Sequence, residues 1–179
     1  MKAKRVALSG EHQSFDDIAE HRRLLEQATR DYFVHRSPAF CARFATASTT
    51  EITQTLARTL REIDRASILS LLAAVEAAFR VDYLERVYRK RKDPISRACR
   101  ALHARKAQAV RLDEDLLTLW LRHGQAAPGF VADVRGALQV RHWLAHGRYW
   151  SPRLGKYDDF DTVYTLAVAV SALLDMAGS

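Results

Sequence analysis

A chain of 179 residues that is 48% hydrophobic and 27% charged, with only 7 Gly and 4 Pro, has the composition of an ordered globular protein and excludes a disordered or fibrous one. Its 28 Lys and Arg against 21 Asp and Glu leave a net charge of +7, which favours a polyanionic partner. Cys41 and Cys99 stand alone without a CxxC pairing, so neither a zinc ribbon nor a disulfide framework is supported and the cytoplasm is the expected compartment.

The length suits a single domain over 1–179. Residues 1–5 lack a following apolar core, so no signal peptide is expected. The longest apolar stretch, 166–174, is far short of the roughly 20 residues that span a bilayer, so no membrane partner is expected either. Most of the cations are Arg, which suits bidentate contact with phosphate.

In chain order, Ser14 is an N-cap for a first helix over about 15–35, with Phe15, Ile18, Leu25 and Tyr32 on one face, and Ser37-Pro38 ends it. The cluster Ser48-Thr49-Thr50 opens a second helical stretch through Ile52, Leu56, Leu60 and Ile63. A third helix, over about 67–92, carries an apolar stripe of Ile68, Leu72, Val75, Phe79 and Tyr83, with Glu76 inside it. A carboxylate in such a stripe is neutral or paired. The helix closes on Arg86, Arg89 and Lys90, cations that suit a helix C-terminus and are equally well placed to touch phosphate.

Pro94 starts a short basic helix through Arg97, Arg100, Arg105 and Lys106. Asp113 or Glu114 opens another, through Leu116 and Leu121, that ends at Gly124. The break from there to Gly129 contains Pro128 and is too long for a helix-turn-helix DNA reader. A helix from Phe130 follows, with Phe130, Val131, Val134, Leu138 and Ala145 on one apolar arc. Asp158 or Asp159 caps a last helix over about 160–177, apolar nearly all round, as a helix in a bundle centre or a dimer interface is. Strand signals are nearly absent, and the expected fold is all-α.

Arg141 projects from the middle of the 130–145 arc. A guanidinium keeps its charge, so Arg141 must be paired, with Glu76 the expected partner, or must face a wet cleft or a partner surface. His142 and His146 are four apart and share a face, and Gly147 lets the chain leave the helix with His146 in its last turn. An Arg followed by His five positions on is expected about once by chance in a chain with 7 His, and it recurs at Arg30 and His35. Context separates the two. Arg30 points away from its helix's apolar face, whereas Arg141 sits in one.

The segment Arg141-His142-Trp143-Leu144-Ala145-His146-Gly147, in an entirely helical setting, resembles the signature of the HEPN superfamily: an arginine, a polar residue, and a histidine near the end of a core helix. The segment from Glu76 through Phe79, Arg80 and Tyr83 to Arg86 resembles an earlier core helix of bacterial members, where an inward acidic residue is common. The resemblance spans about residues 67–177 and leaves 1–50, an N-terminal helix and loop, outside it. It implies a four-helix up-and-down bundle with additional short helices, commonly a symmetric homodimer with a composite active site where two motif helices meet. Many members are metal-independent ribonucleases acting as toxins, restrained by an antitoxin, or as antiviral effectors; others bind without cleaving. Some toxins place a tyrosine two residues after the histidine, where this chain has Arg148, with Tyr149 one later.

Cleavage of RNA by its own 2′-hydroxyl needs a group that accepts and returns a proton near neutral pH, and a fixed cation for the phosphorane charge. His146 fits the first role and Arg141 the second, with His142 orienting the phosphate or tuning His146 and Glu76 holding Arg141. Arg148, Tyr149, Arg86, Arg89 and Lys90 are the candidate RNA contacts. The alternative is a structural Arg–Glu tie in a basic module that binds RNA or a partner protein without cleaving it. His142 and His146 also have the spacing of a zinc pair, but no third ligand is evident, and no metal or other cofactor is expected.

Overall fold

The computed structural model describes residues 6–107, 109–150, 157 and 159–176, and among these the regular structure is entirely helical. Helix α1 (Phe15–His35) starts where the Ser14 side chain accepts the amide of Asp17, and it ends at Arg36 in the left-handed region, φ 44°. Ser37 and Pro38 then open the short α2 (Pro38–Arg43). Helix α3 (Thr49–Arg89) begins with a reciprocal capping box between Ser48 and Glu51. The sequence reads this segment as two helices meeting near Ser67. The structure joins them into one of 41 residues, about 60 Å long at ~1.5 Å per residue. No glycine or proline lies between Ile63 and Ile68, and Arg22 of α1 binds Asp64 at 2.7 Å across that junction.

Asp93 caps α4 (Pro94–Lys106) by accepting the amide of Ser96 at 2.8 Å, with Pro94 in the first turn. A π-helical turn, Leu112–Leu116, in which the Leu116 amide reaches the Arg111 carbonyl at 3.2 Å, leads into α5 (Leu117–His123). Gly124 ends α5 under the ring of Trp120, where an added Cβ would lie 2.3 Å from a ring carbon. Helix α6 (Pro128–Ala145) and helix α7 (Phe160–Met176) complete the chain. Asp159 accepts the Thr162 amide at 3.0 Å as α7 begins; Asp158, the other expected cap, and Ala177, the expected end, lie outside the described residues.

The long helix α3 is the spine. Arg22 meets Asp64 while the start of α1 lies beside Ala78 and Asp82, so α1 runs antiparallel to α3. Glu76, Arg65 and Glu62 meet Arg141, Trp143 and Arg148 in turn, so α6 is antiparallel to α3 as well. On α7, Phe160 lies under Arg22 and Tyr164 donates to Asp16, so α7 is antiparallel to α1. The four long helices thus alternate in direction, with α4, the π turn and α5 inserted before α6. One core runs through Ile18, Leu71, Phe79, Leu117, Val134 and Val163. Helix α1, outside the span of the family resemblance, supplies part of it.

Two expectations shift. The buried row of α6 is Val131, Val134, Ala137, Val140 and Trp143, not the arc that ended at Ala145, which is exposed. Helix α7 buries Val163, Leu166, Ala167 and Val170 but leaves Val168 and Met176 exposed, so it does not run through the bundle centre, the first of the two settings expected for it. Among the described residues no helix is long and apolar enough to cross a membrane.

Candidate active site between α3 and α6

Arg141 leaves α6 between the buried Val140 and Trp143, its side chain 38% exposed. Its Nη2 lies 3.4 Å from Oε2 of Glu76, the partner expected from the sequence. The other oxygen of Glu76 accepts from Nε and Nη2 of Arg80 at 3.0 and 2.8 Å, and Nη1 of Arg80 donates to the Val110 carbonyl at 3.2 Å. One carboxylate therefore serves two guanidiniums. Nε of Arg141 is buried and meets no acceptor among the described residues, so this cation is incompletely satisfied. It lines a cleft of about 890 Å³ with Glu76, Arg80, Arg111, Arg135, His142 and Trp150.

The end of α6 shapes the rim of that cleft. The His146 amide closes on the His142 carbonyl at 3.1 Å, and the Arg148 amide on the Trp143 carbonyl at 3.2 Å, with Gly147 at φ 79°. This is the reversal that a glycine after the C-cap permits. His146 is the cap residue itself, one position beyond the last turn. The rings of His142 and His146 lie 4.2 Å apart, and the returning chain brings Trp150 to 5.8 Å from His142. Trp143 is buried and donates from Nε1 to the Trp150 carbonyl at 2.8 Å, which ties the turn down. Tyr149, 84% exposed, packs edge-on against Trp150 at 4.7 Å. Arg148 folds back to α3, with Nη1 2.8 Å from Glu62, and this hydrogen bond holds the Glu62 carboxyl below its usual range.

The structure thus brings together Glu76, Arg141, His142 and His146, with Tyr149 and Arg148 on the adjoining turn. Arg86, Arg89 and Lys90 are elsewhere: Arg89 lies thirteen residues along α3 from Glu76, about 20 Å. Arg86 requires a correction. It is 2% exposed, its Nε is 2.8 Å from both oxygens of Asp82, its Nη1 is 3.5 Å from Asp93, and its guanidinium lies over Trp120. It is a core ion pair, with almost none of its surface open to a phosphate. Burial in turn pushes the Asp82 carboxyl above its usual range. Arg89 is exposed and pairs with Glu85 at 3.2 Å, and Lys90 is the exposed cap of α3. Arg30 of the chance repeat is exposed and pairs with Glu26 at 2.7 Å.

Arg80, Arg111 and Arg135 are cleft residues that the sequence reading passes over. For Arg80 a signal existed, since it follows Glu76 by one helical turn. Among the described residues, no three His, Cys, Asp or Glu side chains group as a metal site. Comparison of the chain with protein-family models, with curated proteins and with solved structures finds no match.

Proposed function

We propose that the chain is a HEPN-like endoribonuclease that cleaves RNA at the α3–α6 cleft without a metal ion. The observation that carries the reading is a fixed guanidinium in a cleft whose rim holds two imidazoles in ring contact, beside the exposed ring of Tyr149. His146 takes the proton of a ribose 2′-hydroxyl as its oxygen attacks the adjacent phosphorus. The bond from phosphorus to the 5′-oxygen breaks, and the proton returns to that oxygen, leaving a cyclic phosphate and a 5′-hydroxyl. Arg141 stabilises the charge on the phosphorane, and His142 orients the phosphate. Glu76 holds Arg141 in place.

His146 lies off the lining of the cleft that holds Arg141, and positions five apart differ by about 140° round a helix. A homodimer in which a second copy adds its own Arg141 and His146 gathers both groups at one phosphate. The role this chemistry fits is a cytoplasmic toxin or antiviral effector, restrained by an antitoxin or similar regulatory protein. Incubating the purified protein with RNA in a strong chelator and analysing the ends tests the reading. Cyclic-phosphate ends from the wild type, lost in Arg141→Ala and His146→Ala, are the expected result; unchanged cleavage in both variants overturns it.

One observation favours a binding module instead. Arg141 is already held by Glu76, as a purely structural tie would be, while Tyr149 offers an exposed ring for stacking. RNA retained by the wild type and left intact selects that alternative.

A further inference from the structure

A groove of about 650 Å³ runs between α4 and α5. On α4 it is faced by Arg97, Ala98, Ala101 and Arg105, a spacing of three and four that forms one side of a helix. The alanines are small, so the two arginines flank an open floor and stand about 12 Å apart along the axis. Helix α5 adds Arg122. All three arginines are exposed, and none forms an ion pair among the described residues. The two carboxylates of the groove are held by cations outside it: Asp115 by Lys106 at 2.7 Å, and Glu114 by Arg111 at 3.0 Å. Three positive charges are left without a counter-charge.

Single exposed arginines are ordinary surface chemistry, but these continue the cleft. Glu114 lines both cavities. Arg135 on the cleft wall donates to the hydroxyl of Thr118, a groove residue, and to the carbonyl of Asp113, both at 3.3 Å and neither a carboxylate. Arg141 and Arg135 thus line the cleft, Arg97, Arg105 and Arg122 line the groove, and the two cavities adjoin at Glu114, whose charge Arg111 offsets.

We propose that the α4–α5 groove is the second half of an RNA track. A single strand with its reacting phosphate at Arg141 passes over Arg135 and lays its flanking phosphates along Arg97, Arg105 and Arg122. This rests on the reading of the α3–α6 cleft as the RNA-cleaving site and extends it beyond the reacting nucleotide. Spaced guanidiniums suit a phosphate backbone, and the Tyr149–Trp150 pair at the other end suits unpaired bases, which a duplex would not present.

The test uses the full chain and a single-stranded RNA of about 20 nucleotides with every 2′-hydroxyl methylated, so that it cannot attack its own phosphates; binding is measured by fluorescence anisotropy over a range of salt. Each lost phosphate contact lowers the slope of log K against log salt by about 0.7 for single strands. Arg97→Ala/Arg105→Ala/Arg122→Ala, checked for wild-type helicity by circular dichroism, is expected to lower the slope by about 2 and weaken binding at least ~10-fold. The corresponding triple Lys variant retains most of the slope. An unchanged slope in the Ala variant, or no binding by the wild type, overturns the proposal. If the slope falls but unmodified RNA of the same sequence stays intact, the track stands and the catalytic reading fails. If unmodified RNA is cleaved and the slope does not move, the reverse holds.

Discussion

Arg141 and Glu76 form an ion pair that joins α6 to α3 inside the cleft, at 3.4 Å, and the same carboxylate binds Arg80 more closely, at 2.8 Å. The two guanidiniums share Glu76 through different oxygens, so its neighbours separate anchoring from packing. Glu76→Gln removes the charge that offsets both. Because all three groups are partly exposed, the expected cost in stability is about 1 kcal/mol, while cleavage falls at least ~10-fold as Arg141 loses its fixed position. Arg80→Ala leaves Glu76 wholly to Arg141 and is expected to keep cleavage within about threefold. Cleavage rates and thermal unfolding of the two variants check this. An Arg80→Ala as inactive as Glu76→Gln would mean that the carboxylate orders the surface of α3 and does not act through Arg141.

The buried pair of Arg86 and Asp82 gives a stability prediction independent of function. Arg86→Ala leaves Asp82 buried without its cation, an expected loss of about 3–5 kcal/mol. Burial already raises the Asp82 carboxyl, and the variant raises it further. An acid with a raised folded pKa opposes folding once it is charged. The handicap is full above the folded value and disappears as the pH falls through it. Relative to the wild type, Arg86→Ala should therefore regain stability in urea unfolding as the pH falls from neutral, and Arg86→Ala/Asp82→Asn should show no such regain. A single-variant loss below about 1 kcal/mol would contradict a buried ion pair.

What was legible in the sequence follows from where local chemistry decides the outcome. Ser14, Ser37-Pro38, Pro94 and Gly124 punctuate the chain, and the helix limits near them agree with expectation because caps and breakers act within one turn, whereas α6 starts at Pro128, two residues before the expected Phe130, because proline suits the first turn of a helix. The Glu76–Arg141 pair was legible because both charges lie on apolar faces. The unbroken α3 was not, since Ser67 has the composition of a cap but sits buried inside the helix. Arg86 was misread for the same reason: three cations near a helix end look solvated, although the spacing Phe79, Tyr83, Arg86 continues the buried stripe and Asp82 stands one turn before it. The groove of Arg97, Arg105 and Arg122 depends on how α5 lies against α4, which no local pattern encodes.

The turn after α6 depends on the indole hydrogen bond from Trp143 to the Trp150 carbonyl at 2.8 Å. Trp143→Phe keeps an aromatic ring between α6 and α3 and removes the donor, at an expected cost of about 1 kcal/mol. Helicity should stay at the wild-type level while the amides of 147–150 exchange faster with solvent. With Trp150 no longer held beside His142, RNA binding should weaken by a factor of about 3 to 10. Hydrogen exchange followed by mass spectrometry reads the first effect. Unchanged exchange over 147–150 would show that Gly147 and the backbone closure hold the turn unaided.

Arg148 and Glu62 tie that same turn to α3, and their bond has a defined pH window. The hydrogen bond from Arg148 lowers the Glu62 carboxyl from its ordinary value of 4.5, so its stabilising contribution is complete above that value and is lost as the pH falls through the lowered folded value. Between pH 7 and about 5.5 the Arg148 side chain should therefore keep one environment in nitrogen-detected NMR, and below about 4.5 its guanidinium signal should move to that of a solvated arginine. Glu62→Gln should give the solvated signal at every pH. Because Glu62 and Arg65 remain exposed to solvent, the release costs little global stability, and cleavage measured near neutral pH is expected to fall only as far as Glu62→Gln lowers it. A transition that persists in Glu62→Gln would trace the acid response to other lowered carboxylates, Asp115 with its Lys106 partner first among them.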